Sequence, residues 1–416
     1  MTVHLTRRRA LMAATGFGLS IDLLARPAFA ATGDLSRRKL VVVICRGGLD
    51  GLTLAPPTGD PDYQGLRRNL ALGDDALRLD GTFGLHPAMT SVHDLAKAGQ
   101  ARIAPAVATP DRARSHFEAQ DVLETGAAVV YGTSSGWLNR AVESLKAARK
   151  VEALSVGPTS PLILRGPAAA SSWSPGRGVD AQARLPGLLQ DLYKDDPVLG
   201  PALARGLATE TMAQSAMNGL AEGADAPSMM GAAPAAGGVE GYLRQGQEAA
   251  RKLGGTLAGF MREPGGPQIA ALSLDGFDTH ANQGAAKGQL ANRLGYLDAV
   301  LNGLHTGLGP EWSNTVVIVA TEFGRTARVN GTSGTDHGTA STALVLGGSL
   351  KPGGIIGDWP GLKTSALYEN RDLAPTLDMR GLFKGVLADH MGLDRRALET
   401  TVFPDSATAR PVTGLV

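Results

Sequence analysis

The chain has 416 residues, 43% of them hydrophobic and 19% charged, an ordinary balance for a globular protein of one large or two smaller domains. The net charge is +1, and Arg7, Arg8, Arg9 and Arg26 against Asp22 in the first thirty residues account for more than that excess; no basic surplus is left to bind nucleic acid or anionic lipid. The single cysteine, Cys45, excludes an intrachain disulfide and a cysteine-bound iron–sulfur cluster, and reads as a small buried strand residue.

In chain order, residues 1–30 come first. Thr6-Arg7-Arg8-Arg9, a weakly apolar stretch to about Ala25 and a small-x-small site at Ala28-Phe29-Ala30 read as a twin-arginine signal peptide. The stretch is shorter than the roughly 20 residues a span needs and contains Asp22. The expectation is export to the periplasm or beyond, with no membrane span after signal removal.

Leu40–Cys45 is an almost wholly apolar run, the mark of a strand covered on both faces and hence of a mainly parallel sheet. Similar runs recur at Ala101–Val107, Ile269–Leu274, Thr315–Ala320 and Thr342–Leu346. Helical patterns lie between or after them. Pro87–Gly99 carries Met89, Val92 and Leu95 on one stripe; Gly241–Met261, Gly284–Leu308 and Asp372–Met391 also read as helices. Strands alternating with helices predict an α/β fold. Residues 34–416 are expected to form one domain with a helical insertion at roughly 160–265. The Ala-, Gly- and Met-rich stretch 206–239 reads as a lid or a poorly ordered connection.

Polar clusters follow the apolar strands, at the edge where open α/β sheets bind ligands. After the first strand, Arg46-Gly-Gly-Leu-Asp50-Gly places Asp50 either as a metal ligand or as a turn residue bonded to its own backbone. After the second, Arg112-Ala-Arg114-Ser115-His116-Phe-Glu-Ala-Gln120 opens a helix. Ser115 reads as its N-cap or as a hydroxyl beside an anion site, and Arg112 or Arg114 as a holder of phosphate or sulfate. His116 and Gln120 share a helix face.

Asp275-Gly-Phe-Asp278-Thr-His280-Ala-Asn282-Gln283 follows the third strand, and Asp278 with His280 can chelate one ion. Glu322, in Thr321-Glu-Phe-Gly-Arg325, stands at the fourth strand's tip as a ligand or in a pair with Arg325. In Gly334-Thr-Asp336-His337-Gly338, His337 can join Asp278 and His280 on the metal, while Asp336 ligates or orients an imidazole. His86, His93, His305 and His390 read as capping, packing or surface residues.

These segments, with Gly136-Trp-Leu-Asn-Arg140, resemble the exported bacterial family called domain of unknown function 1501 over nearly all of the chain after the signal. That family resembles the alkaline phosphatase and sulfatase superfamily. The resemblance implies a three-layer α/β/α sandwich and two-metal chemistry, with Ser115 near the nucleophile position and Arg114 and His116 beside it. It also implies Asp278, His280 and His337 on a first metal, and Asp50 and Glu322 toward a second. Phe323 stands where that superfamily has a second-metal histidine, and the Asp278–His280 spacing is shorter than in alkaline phosphatases.

The resulting expectation is a phosphate or sulfate ester hydrolase using one or two divalent ions, with zinc, calcium, magnesium and manganese all open. Its partner would be an anionic small-molecule or ester substrate. The competing expectation is a non-catalytic, metal-stabilised extracytoplasmic protein that binds a protein partner. A third is a metal-dependent redox enzyme.

Overall fold

The run Lys39-Leu-Val-Val-Val-Ile-Cys45 is buried along its whole length and lies at the centre of an eight-stranded sheet. The computed structural model describes residues 35–157, 160–175, 189–190, 192–193, 196–221 and 238–416. The expected signal segment, residues 1–30, lies outside them. Its strands are β1 (Lys39–Cys45), β2 (Leu77–Arg78), β3 (Gly84–Leu85), β4 (Ala101–Ala108), β5 (Ala153–Val156), β6 (Ser171–Trp173), β7 (Ile269–Leu274), β8 (Thr315–Ala320), β9 (Ser341–Leu346) and β10 (Leu377–Asp378). The helices used below are α1 (Gly51–Leu54), α2 (Tyr63–Arg67), α3 (Thr90–Lys97), α4 (His116–Thr125), α5 (Trp137–Lys146), α6 (Leu199–Ala221), α7 (Gly238–Arg262), α8 (Gln289–Leu308) and α9 (Met379–Asp389).

The sheet order is β10-β4-β9-β8-β1-β7-β5-β6. β1 pairs in parallel with β7 and β8, and only β9 runs against its neighbours. β9 reverses because β8 reaches it through a loop rather than a crossover helix, and an antiparallel neighbour needs no crossover. That loop carries Glu322, Arg325, Asp336 and His337.

Side chains alternate across a strand, and both faces of β1 are apolar. Val41, Val43 and Cys45 pack with Leu257 and Phe260 of α7 and with Leu294, Leu297 and Leu301 of α8. Leu40, Val42 and Ile44 pack with Leu138 and Val142 of α5 and with Leu382 and Val386 of α9. Two cores on opposite faces of one sheet make the three-layer α/β/α sandwich, mainly parallel, that the apolar runs and the family resemblance predict.

Some details differ from the sequence reading. β5 and β6 are too short to stand out as apolar runs, and both extend the sheet. Residues 206–221, expected in a lid or loose connection, belong to α6, whose Ala, Leu, Met, Gln and Glu content favours helix. Residues 222–237 of that stretch lie outside the described residues. Among the described residues, no helix is long and apolar enough to cross a membrane.

His390 follows α9, is fully buried, and its Nε2–H donates to the Lys39 carbonyl at 2.8 Å. Burial pushes its pKa down to about 4, against about 6.5 in an unfolded chain. The neutral ring therefore contributes stability that is complete above pH ~6.5 and lost as pH falls toward 4, about 3 kcal/mol in all. Urea unfolding at stepped pH should show this acid loss in the native protein and a flatter profile in His390→Gln. Parallel profiles would contradict it.

Candidate metal and ester-binding site

The loops after β1, β7 and β8 meet at the carboxyl ends of their strands, next to the start of α4. Their approach depends on glycine. Gly47 has φ +113°, and a Cβ there would lie 2.5 Å from the backbone nitrogen of Asp278. Gly334 lies against the His280 carbonyl with no room for a side chain. These two contacts bring the Asp278–His280 loop between the β1 loop and the Asp336–His337 loop.

Three imidazoles converge on one carboxylate. His116 Nε2 is 3.5 Å from Asp278 Oδ2. His280 Nε2 and His337 Nε2 are 3.1 and 3.3 Å from Asp278 Oδ1, and 3.0 Å from each other. The far nitrogen of each ring has its own partner. His116 Nδ1 faces Glu322 Oε1 at 2.9 Å, His280 Nδ1 faces Asp336 Oδ1 at 3.3 Å, and His337 Nδ1 is 2.9 Å from the Arg114 carbonyl.

A carbonyl can only accept, so His337 Nδ1 carries the proton and, in the neutral ring, its Nε2 presents a lone pair. The same tautomer follows for His116 against the Glu322 carboxylate. His116 Nε2 is buried with no hydrogen-bond partner. An orphaned buried acceptor, with further acceptors close by, is the donor set a cation would satisfy. Ligand atoms of His116, Asp278 and His337 all lie within 4.8 Å of one another, a group that could hold a metal ion.

The electrostatics agree with this geometry. Hydrogen bonding to Glu322 raises the His116 pKa, making it a more basic ring, while burial lowers that of His337. Burial alone would raise Asp278, but the Arg325 guanidinium bonded to its Oδ1 holds it below the usual carboxylate range. Asp336 is lowered by the Asn330 amide and by His280.

Glu322 was expected as a ligand. It is instead buried, accepts the Gly47 N–H at 2.8 Å, and orients His116. Burial would raise its pKa, but the bonds from His116, backbone N–H groups and Thr321 keep it low and ionised. Asp50, the other expected ligand for a second metal, is fully buried in a separate network. It pairs with Arg67, caps α1 through the Leu52 N–H, and accepts from Thr53 and the Gln283 amide. Its oxygens are thus taken up, and it is absent from the cluster.

Arg114 was expected to bind an anion. Its guanidinium is held by Asp372 at 2.8 Å and Glu369 at 2.6 Å, and its contribution to the cluster is its backbone carbonyl. The backbone of Arg114 is left-handed at φ 58°, a strained setting for a bulky residue and one that accompanies functional sites. Arg112 is occupied by the carbonyls of Thr109 and Asp111. Ser115 is the residue before α4 and makes no side-chain capping bond, so its hydroxyl stays uncommitted at the helix N-terminus.

Sequence reading missed Arg67, Asn330 and Arg371. Asn330 donates to the His280 carbonyl and to Asp336, and Arg371 donates to the His337 carbonyl. The Asn330-Gly331 pair is a turn signal that marks this position; Arg67 and Arg371 carry no local signal.

Beside the cluster, between α4 and the ends of β5 and β7, lies a cleft of about 470 Å³. Arg46 in its wall bonds Gln120 at 2.6 Å and pairs with the buried Glu124. Phe117, Val129 and Tyr131 nearby on the chain are 84%, 65% and 75% exposed. A second cavity of about 110 Å³, beside β4, shares no residue with the cluster.

Over residues 37–402 the sequence matches the family described as "Protein of unknown function (DUF1501)", and the chain belongs to that family. No curated protein matches it. Among solved structures it is similar to the C-terminal periplasmic domain of EcEptC from Escherichia coli in complex with Zn, at 10% identity and a TM-score of 0.37, covering 89% of this chain and 87% of that one. It is similar to the lipoteichoic acid synthase LtaP from Listeria monocytogenes, at 9% identity and 0.39, covering 92% and 81%. A third is the phosphonate monoester hydrolase of Agrobacterium radiobacter, at 12% identity and 0.39, covering 86% and 74%.

Proposed function

We propose that this protein is an exported, metal-dependent hydrolase of phosphate or sulfate esters. The observation that carries the reading is the buried, unpartnered Nε2 of His116, aimed at Asp278 while Glu322 holds its Nδ1. His116, Asp278 and His337, with His280 beside them, would hold a divalent ion. When bound, such an ion neutralises charge on a phosphoryl or sulfuryl group and polarises its oxygens.

The chain's own residues supply the rest. Ser115 is the proposed nucleophile, one residue from His116 and at the N-terminus of α4, where free N–H groups favour an anion. Its Oγ would bond to phosphorus or sulfur as the ester oxygen leaves, the serine proton passing through solvent to that oxygen. Water would then release the inorganic acid and restore the hydroxyl. Glu322 and Asp336 hold the rings of His116 and His280 in place, and the cleft beside α4 would receive the leaving group.

The test is an aryl phosphate and aryl sulfate panel on metal-loaded protein. Ser115→Ala is expected to lower kcat by at least ~10³-fold with little change in fold, since the proposed covalent step needs the hydroxyl. Turnover that survives the substitution removes Ser115 as nucleophile. A second reading, a metal-stabilised protein that binds a partner, draws on the exposed Phe117, Val129 and Tyr131 beside the cleft. Absence of turnover on both ester classes in the loaded protein would favour it.

A further inference from the structure

We infer that the cluster takes a single nitrogen-seeking divalent ion of the zinc type, with the Arg325 guanidinium standing as the second fixed positive charge. This deepens the metal-dependent reading above and rests on it.

The donor set is the first argument. Three imidazole Nε2 atoms and one carboxylate meet there. Imidazole-rich sites suit zinc and its first-row neighbours, whereas magnesium and calcium take oxygen ligands. The outer contacts fit as well. Each ring's Nδ1 is turned to a carboxylate or a carbonyl, which fixes the tautomer that leaves Nε2 free to ligate.

The second argument is what has become of the acidic residues that a second ion would need. Glu322 spends its carboxylate on His116, Gly47 and Thr321. Asp50 spends its own on Arg67, Thr53, Leu52 and Gln283. Phe323, on the other side of Glu322, packs its ring 4.9 Å from His116 and 4.8 Å from His337 and offers no ligand atom.

The third argument is charge. Arg325 is fully buried and bonds Asp278 Oδ1, leaving Oδ2 toward His116. The guanidinium is permanently charged, so a second dication on the same carboxylate would be repelled.

The test is titration of chelator-treated, refilled full-length protein, with elemental analysis and calorimetry. One zinc per chain is expected, undisplaced by millimolar magnesium or calcium. Cobalt, used as a spectroscopic probe, should give one visible band of low-symmetry nitrogen coordination that changes in His116→Ala. Glu322→Gln should weaken zinc 10–100-fold while the stoichiometry stays at one. If that variant does not fold, the cobalt spectrum and ion count of the native protein still decide. Two ions per chain, or preference for magnesium or calcium, would overturn this inference while leaving metal dependence standing. No ion taken up by folded protein would overturn both.

Discussion

Arg325→Ala is expected to cost about 3–5 kcal/mol of stability and to abolish tight metal uptake in the same variant. The guanidinium is fully buried beneath the cluster. Nε donates to the Gly48 carbonyl at 2.7 Å and Nη1 to Thr335 at 3.1 Å. Nη2 donates to Gly47 at 2.5 Å, to Phe277 at 3.2 Å and to the Asp278 carboxylate. One side chain thus ties together the loops after β1, β7 and β8.

Truncation leaves buried carbonyls without donors, each costing about 1–3 kcal/mol, and frees Asp278 to leave the position in which it faces the imidazoles. Arg325→Lys should recover little, because three ammonium hydrogens cannot replace a planar fork that spans five acceptors. Urea unfolding and zinc calorimetry read the two effects. A variant with native stability and native affinity would mean that the loops hold themselves.

Asp50→Ala is expected to be equally costly, about 3–5 kcal/mol, but with a different signature. Arg67 has no exposed side-chain surface, and removing its carboxylate leaves a buried, unpaired cation. The Gln283 amide loses the nearer of its two acceptors and keeps Thr53 Oγ1 at 3.2 Å. Gln283 Oε1 accepts the hydroxyls of Thr279 and Thr335, each adjacent to a residue of the cluster, so some loosening of metal affinity should follow. The ion count at saturation should not change. Loss of an ion in folded Asp50→Ala would return Asp50 to the ligand role that its place after β1 suggests.

These two variants separate what could be read from the residue order from what could not. Uninterrupted apolar runs at Leu40–Cys45, Ile269–Leu274 and Thr315–Ala320 dictate buried strands, because such runs must be covered on both faces. Alternation with helices then fixes the α/β class, and the polar segments after each strand fix which residues reach the sheet's carboxyl edge. Asp278, His280 and His337 were legible as residues of that edge: Asp278 and His280 share one short loop, whereas the meeting of His337 with Asp278, 59 residues away, needs two loops to pack together. Asp336 was legible only as a ligand or an orienting group; that it faces His280, 56 residues away, depends on the packing of two loops.

The roles of Arg114, Glu322 and His116 were not legible, and of Asp50 only the turn bond to its own backbone, made here by the Leu52 N–H, was. Each depends on a partner brought from far along the chain: Glu322 on His116, 206 residues away, Asp50 on Gln283, 233 away, and Arg114 on Asp372, 258 away. A carboxylate at a strand tip looks the same in sequence whether it will ligate an ion, orient a histidine or neutralise a buried arginine. The sequence by itself determined the five apolar strands around which the sheet is built, three of which carry the site, and most of the residues at its edge. Only the tertiary structure decided which of those residues face the shared space and which are consumed by one another, because a buried charge takes whichever complementary group the packing delivers to it.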